Sequence, residues 1–191
     1  MGDGNEEGHG GCEAILTGRL LLRRCMPADM PALSTLSAEH AVAENLCTAI
    51  SHAGGNAFTI VERDDGAIVG CTGYGPTEDR PAAVEAGLWI GTAWWGRGYG
   101  TEAAQALIDH AFASGRINAL WCSARVTNAR ARRVIEKCGF QFRGTGMVRS
   151  PTRFGAFPVE RFVLDRRNWE SLKAWATPDK RHGGSKRDTA A

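Results

Sequence analysis

The 191-residue chain contains no run approaching the roughly 18 consecutive apolar residues of a membrane-spanning helix. It also lacks an excess of charge of one sign. Lys+Arg 23 against Asp+Glu 21 leaves a formal net charge of +2, too even a balance for a chain devoted to DNA, although a local basic patch is compatible with it. Its six cysteines (Cys12, Cys25, Cys47, Cys71, Cys122, Cys138) are scattered and none forms Cys-x-x-Cys. That spacing excludes a zinc knuckle and a dense disulfide framework, so reduced, mostly buried thiols are expected. The five histidines include no His-x-x-x-His or His-Glu-x-x-His, and no metal is expected. The absence of Gly-Lys-Ser/Thr removes a P-loop. The opening Met1 to Glu13 is Gly-rich and acidic, the opposite of a signal peptide, so a cytoplasmic chain that avoids membranes is expected.

What is present is ordinary globular material: 43% hydrophobic and 23% charged residues, enough for one domain with tails. Residues 1–13 hold five glycines, and from Thr177 onward the chain shows no hydrophobic period. Both are expected to be flexible tails around a single domain at 14–176.

Within that domain Leu20 to Arg24 reads as a strand, Pro27 to about Ala38 as a helix, and about 39–51 as a second helix. Ala57–Glu62, Ala67–Tyr74 and Ala83–Gly91 read as three strands of a meander, with Asp65-Gly66 marking the first turn. Gly100–Ala113 carries apolar residues at 103, 104, 107, 108, 111 and 112, one broad helical stripe suited to packing on the sheet. Asn118–Ser123 follows as a strand and Asn128–Lys137 as a helix closed by Gly139. Phe140–Met147 and Phe157–Leu164 are strands, and a last helix covers about Asp165–Ala176. The fold class is therefore α/β of the mixed α+β kind, not a doubly wound parallel sheet.

The most informative segment is Trp94-Trp95-Gly96-Arg97-Gly98-Tyr99-Gly100-Thr101-Glu102, between a predicted strand and a predicted helix. Alternate glycines let backbone N–H groups converge at a helix N-terminus, where the dipole favours an anion such as a pyrophosphate, and Arg97 adds a charge-assisted contact. A tight turn without a ligand is the plainer reading of the same residues. Gly98-Tyr99-Gly100-Thr101-Glu102-Ala103 also matches the dinucleotide fingerprint G-x-G-x-x-[GA]. That motif calls for a parallel βαβ unit and an acid about 20 residues further on, whereas hairpin signals precede it and the next strand ends at Ser123-Ala124-Arg125, where Arg125 would suit a 2′-phosphate cofactor instead.

Three stretches taken together, Glu85-Ala86-Gly87-Leu88-Trp89-Ile90-Gly91, Trp95 to Ala103, and Asn128 to Phe140, resemble the GNAT superfamily of acetyl-CoA-dependent N-acetyltransferases, and within it the RimJ/RimL-like subgroup. The resemblance runs from Leu20 to Leu164 with the segments in the family's order. It implies a splayed, mostly antiparallel central sheet flanked by helices, with acetyl-CoA entering between the central strands. It implies cofactor contacts at Ile90, Gly91, Trp95, Gly96, Arg97, Gly98, Tyr99, Gly100 and Thr101, with Trp95 standing where the general pattern [RQ]-x-x-G-x-[GA] has Arg or Gln. It also implies thioester polarisation by backbone amides near Ile90, and a homodimer in some members.

Acetyl transfer needs an unprotonated amine, an aligned carbonyl, a donor to the developing oxyanion and a proton for the leaving thiolate. Strand alternation places Glu85, Gly87, Trp89 and Gly91 on one face of strand 83–91. Glu85 lies roughly 20 Å from Gly91 at about 3.3 Å per residue, one extended cofactor arm away. Glu85 is the candidate base, acting directly or through water, with partial burial expected to raise its pKa; a salt-bridged strand carboxylate is the plainer alternative. Trp89, on the same face, is a candidate for lining the acceptor pocket or for packing. Asn128 opens a helix as a natural N-cap, and by resemblance also binds cofactor. Between Arg116 and Arg153 nine basic residues face one acid, Glu136, an asymmetry suited to a nucleotide phosphate, with Arg133 and Arg97 as the preferred contacts. The family's thiolate acids are missing: Ala131 and Ile135 stand where a Ser or a Tyr is found, leaving Ser150, Tyr99 or water. Two rivals to an N-acetyltransferase acting on a protein N-terminus or a small amine remain: an acyl-CoA-binding domain without catalysis, and an NADP-dependent oxidoreductase.

Overall fold

The structure is a computed structural model that describes residues 14–37, 56–77, 80–149 and 155–176. The period-two alternation in the first half of the chain becomes an antiparallel meander of strands β1 (Ala14–Leu16), β2 (Leu20–Arg24), β3 (Asn56–Glu62), β4 (Ile68–Thr77) and β5 (Arg80–Ile90). The second half supplies β6 (Ala119–Arg125), β7 (Gln141–Arg149) and β8 (Ala156–Asp165). Helices α1 (Met30–Ser37), α2 (Tyr99–Ala113), α3 (Ala129–Lys137) and α4 (Arg166–Ala176) complete the described elements. The three-residue β1, too short to carry a periodic signal, is the strand that sequence patterning does not anticipate. The expected helix at 39–51, residues 150–154 of the expected Ser-Pro loop, and both expected tails lie outside the described residues.

All eight strands form one sheet in the order β1-β2-β3-β4-β5-β6-β8-β7. Every neighbouring pair is antiparallel except β5 and β6. That parallel pair is joined at two rungs, Glu85↔Trp121 and Ala86↔Cys122. Beyond them β5 continues through Gly87, Leu88, Trp89 and Ile90 with no partner on β6 among the described residues. The sheet is thus open along a seam from Gly87 onward. The glycine motif does lie between two parallel strands, β5 and β6, but these join at only two rungs, their outer neighbours β4 and β8 are antiparallel to them, and β6 ends at Arg125 without the acid that a dinucleotide fingerprint requires.

The apolar stripe of α2 packs on the sheet as its spacing demands. Ala103, Leu107, Ile108, Ala111 and Phe112 are buried in one cluster with Leu20, Leu22, Phe58, Ile60, Leu120 and Phe162, each large side chain contributing about 1.5–3 kcal/mol by leaving water. The opposite face carries a smaller cluster in which Leu33 of α1 meets Cys71, with Trp89, Ile68 and Met30 around them. Buried Asp29, at the entrance to α1, ties that helix to the sheet. Its carboxylate accepts from both Arg23 Nη atoms at 2.7 and 2.6 Å, the Met26 amide at 2.9 Å and Thr59 Oγ1 at 2.8 Å. The Arg23 hydrogen bonds lead in holding its pKa down at about 2, against the opposing effect of burial. Cys71, Cys122 and Cys138 are buried and Cys25 is half-buried.

Candidate active site

The chain leaves β5 through a short 3-10 turn, Thr92–Trp94, and enters α2 by way of Gly96 and Gly98, both at positive φ (+78° and +83°). Gly98 is the N-cap of α2 and offers no side-chain cap. The amides of Tyr99, Gly100 and Thr101 in the first turn therefore keep the unsatisfied N–H groups of a helix start, and these face the direction that the helix dipole makes favourable for an anion. The turn is braced from the β1–β2 connection. Arg19 Nη1 donates to the Arg97 carbonyl at 2.8 Å, and Arg19 also binds Glu102 through its amide and its guanidinium, with Thr17 Oγ1 donating to the same carboxylate at 2.6 Å. Burial works against the charged form of Glu102, but these hydrogen bonds outweigh it and the net pKa shift is downward.

Tyr99 points its ring into the core, beneath the Arg19 guanidinium, and its hydroxyl donates to Glu62. The Glu62 hydrogen bond, then burial, raises the phenol's pKa. Tyr99 therefore meets the turn with its backbone while its hydroxyl is committed elsewhere. Gly100 lies where a Cβ would come within 3.7–3.9 Å of Val134, Leu88 and Ile90, placing the first turn of α2 against the end of β5 and against α3.

The ladder to β4 determines what β5 presents to the seam. The Gly91 amide donates to the Val69 carbonyl at 2.8 Å, and the Gly70↔Ile90 register is uninterrupted through Gly73↔Gly87. Residues 87, 89 and 91 therefore bond toward β4, and the intervening Leu88 and Ile90 turn their peptide groups toward the side from which β6 has parted. The Ile90 carbonyl is taken by Trp95 Nε1–H at 2.7 Å. The amides of Leu88 and Ile90 face the opening.

Glu85 stands at the last pair of rungs before the opening, half-buried, and Ser123 Oγ donates to its Oε1 at 2.7 Å. Trp89 shares its face, as alternation requires, with its indole in the cluster beneath α1. Trp121 lies beside Glu85 in register, its ring 4.0 Å from the Arg80 guanidinium.

On the β6 side, Asn128 caps α3, accepting the Ala131 amide at 3.0 Å. Arg133 and Arg97 are exposed. Arg132 is neutralised by Glu136 and Glu160, both at 2.8 Å, and Arg125 lies over Phe157. Arg130 sits 4.6 Å over the Trp95 ring, joining the first turn of α3 to the glycine turn. Arg130 is one of the nine basic residues between Arg116 and Arg153, but no sequence spacing singles it out, nor Arg19 or Ser123. Arg19 and Ser123 make contacts 83 and 38 residues away along the chain, which no local spacing announces. Ala131 and Ile135 offer no side-chain proton, and Ser150 lies outside the described residues.

Helix-start amides flanked by Arg97 and Arg130, beside a seam with two strand amides and a carboxylate at its closed end, suit a long phosphate-bearing ligand. A family model described as an acetyltransferase (GNAT) domain matches residues 19–141. An N-acetyltransferase of Bacillus licheniformis, p20, whose function is uncharacterised, is 27% identical over 89 residues, spanning 47% of this chain and 50% of that protein. The alignment thus reaches about half the length of that relative. The fold is shared with the ribosomal-protein-S5-alanine acetyltransferase of Vibrio fischeri, at a TM-score of 0.65 and 15% identity over 82% of this chain and 98% of that one. It is also shared with the ribosomal L7/L12 α-N-protein acetyltransferase RimL in complex with coenzyme A, at a TM-score of 0.62 and 18% identity over 80% and 98% of the two chains.

Proposed function

The chain belongs to the GNAT acetyltransferase family, and from that premise we propose that it transfers the acetyl group of acetyl-CoA to a primary amine by direct attack within a ternary complex. The observation that carries this reading is the seam between β5 and β6, with the amides of Leu88 and Ile90 turned toward it and Glu85 at its closed end. Acetyl-CoA supplies the activated acetyl group. The residues at the turn, Gly96 to Thr101, hold its pyrophosphate through backbone N–H groups, with Arg97, Arg130 and Arg133 providing positive charge around them. The strand amides are donors of the oxyanion-hole kind, fixed by the ladder to β4 and so aligned before reaction. Glu85 accepts the amine proton, directly or through one water. Trp89 and the α1 side of the sheet border the approach of the acceptor, which we take to be a protein N-terminal α-amine or a small amine. The former is favoured by the ribosomal-protein acetyltransferases that share the fold.

A second reading, an acyl-CoA-binding domain without turnover, draws on Ala131 and Ile135, neither of which can protonate a leaving thiolate. The test is a titration with acetyl-CoA, coenzyme A and NADP read by thermal shift, followed by an amine and peptide panel. Stabilisation by the first two together with an acetylated product supports the proposal. Stabilisation without product on any amine favours the binding domain, and stabilisation by NADP alone overturns both.

A further inference from the structure

Ser123 is the first residue of β6 past the two rungs that join it to β5, so it stands where the seam begins to open. Its backbone is fixed on the other side by the β6–β8 ladder, in register with Arg161. Its hydroxyl donates to Glu85 Oε1 at 2.7 Å. Among the described residues this is the hydrogen bond that engages the Glu85 carboxylate, and Oε2 has no partner there. A carboxylate held by one oxygen and open at the other has a defined orientation and an acceptor ready for a proton.

The surroundings reinforce this arrangement. On the flank, Trp121 stands in register with Glu85, and its ring is covered by the Arg80 guanidinium at 4.0 Å. Opposite Glu85 on β4 stands Gly75, which has no side chain to compete for the carboxylate. The neighbouring Cys122 is buried, and burial, then the Glu85 charge, hold its thiol protonated.

We propose that Ser123 is a positioning residue for acetyl transfer, aligning Glu85 so that Oε2 receives the amine proton; the inference rests on the acetyltransferase reading above. Orienting the base in this way is separate from protonating the leaving thiolate, for which neither Ala131 nor Ile135 of α3 offers a proton. No bond to Ser123 forms or breaks. The amine nitrogen bonds to the acetyl carbon, the carbon–sulfur bond breaks with its electron pair on sulfur, coenzyme A leaves as the thiolate and takes a proton from water, and the amine proton passes to Glu85.

The experiment compares wild type, Ser123→Ala, Ser123→Thr, Glu85→Gln and the Ser123→Ala/Glu85→Gln double variant, using steady-state kinetics on the best amine from the panel and the affinity for acetyl-CoA. Ser123→Ala is expected to lower kcat roughly tenfold, the scale of a hydrogen bond to a charged group, with the acetyl-CoA affinity unchanged. Ser123→Thr, which keeps the hydroxyl on a β-branched side chain that suits a strand, is expected to restore most of the rate. In the Glu85→Gln background, Ser123→Ala is expected to add little, because the two residues act as a unit. An unchanged kcat in Ser123→Ala overturns the inference while leaving the proposed function standing. So does an equal loss in both backgrounds. A wild-type chain that binds acetyl-CoA and acetylates nothing overturns both.

Discussion

At Gly98 the backbone runs at φ +83°, and a Cβ there would also come within 3.3 Å of the Arg19 guanidinium. A non-glycine residue in this region costs about 1–2 kcal/mol, and a β-branched one also screens the amides that follow. Gly98→Val is therefore expected to weaken coenzyme A binding at least about tenfold, measured by calorimetry on a variant whose circular dichroism matches wild type. Wild-type affinity would remove the turn from the cofactor site. Glu85 calls for a different measurement because its proposed work lies in the reaction itself. Glu85→Gln keeps the shape and the Ser123 contact but cannot take up the amine proton, so kcat should fall while the acetyl-CoA affinity holds. A variant with full turnover would show that Glu85 is not the base.

At the scale of elements, α3 tests how one residue divides its work between structure and ligand. Asn128 caps this helix through the Ala131 amide, and removing such a cap costs about 1 kcal/mol, or about 2–4 °C in Tm for a chain of this size. If capping is its whole contribution, Asn128→Ala loses that stability and keeps its coenzyme A affinity; a loss of affinity well beyond the stability change assigns it to the ligand as well. The elements themselves were largely legible in the sequence. The stripe from Ala103 to Phe112 is a local pattern with a local cause, and the structure buries those residues except half-buried Ala104. The glycine turn was legible for the same reason, since its peculiarity lies within a few consecutive residues. The seam was not legible, because it arises from the register between strands whose paired residues, Glu85 and Trp121, are separated by a whole helix. Nor was the brace on the turn, where Arg19 reaches both Arg97 and Glu102 from the far end of the sheet. Long-range pairs of this kind leave no periodic trace, and the same reason hid Ser123.

For the molecule as a whole, the depressed carboxylates set the response to acid. Asp29 has its pKa held at about 2, below the ordinary aspartate value of 3.8, so it contributes stability that is fully present above pH 4 and is lost as the pH falls toward 2. The shift corresponds to about 2 kcal/mol. Asp29→Asn should lower stability near neutrality by a similar or larger amount, since it leaves Arg23 without its anion, and should flatten the acid limb of the stability curve. Denaturant unfolding across that pH range measures both effects, and an unchanged acid limb would show that the Arg23 contact does not set it. The division of the sheet has a further consequence. Strands β1–β5 come from the first part of the chain and β6–β8 from the last, and only two rungs join the two groups edge to edge. The Leu88 and Ile90 amides should therefore exchange with solvent deuterium much faster than their neighbours Trp89 and Gly91, which the β4 ladder protects. Occupancy of the seam should slow those two amides selectively, so that hydrogen exchange reads ligand binding, residue by residue, as the closing of a gap in the sheet.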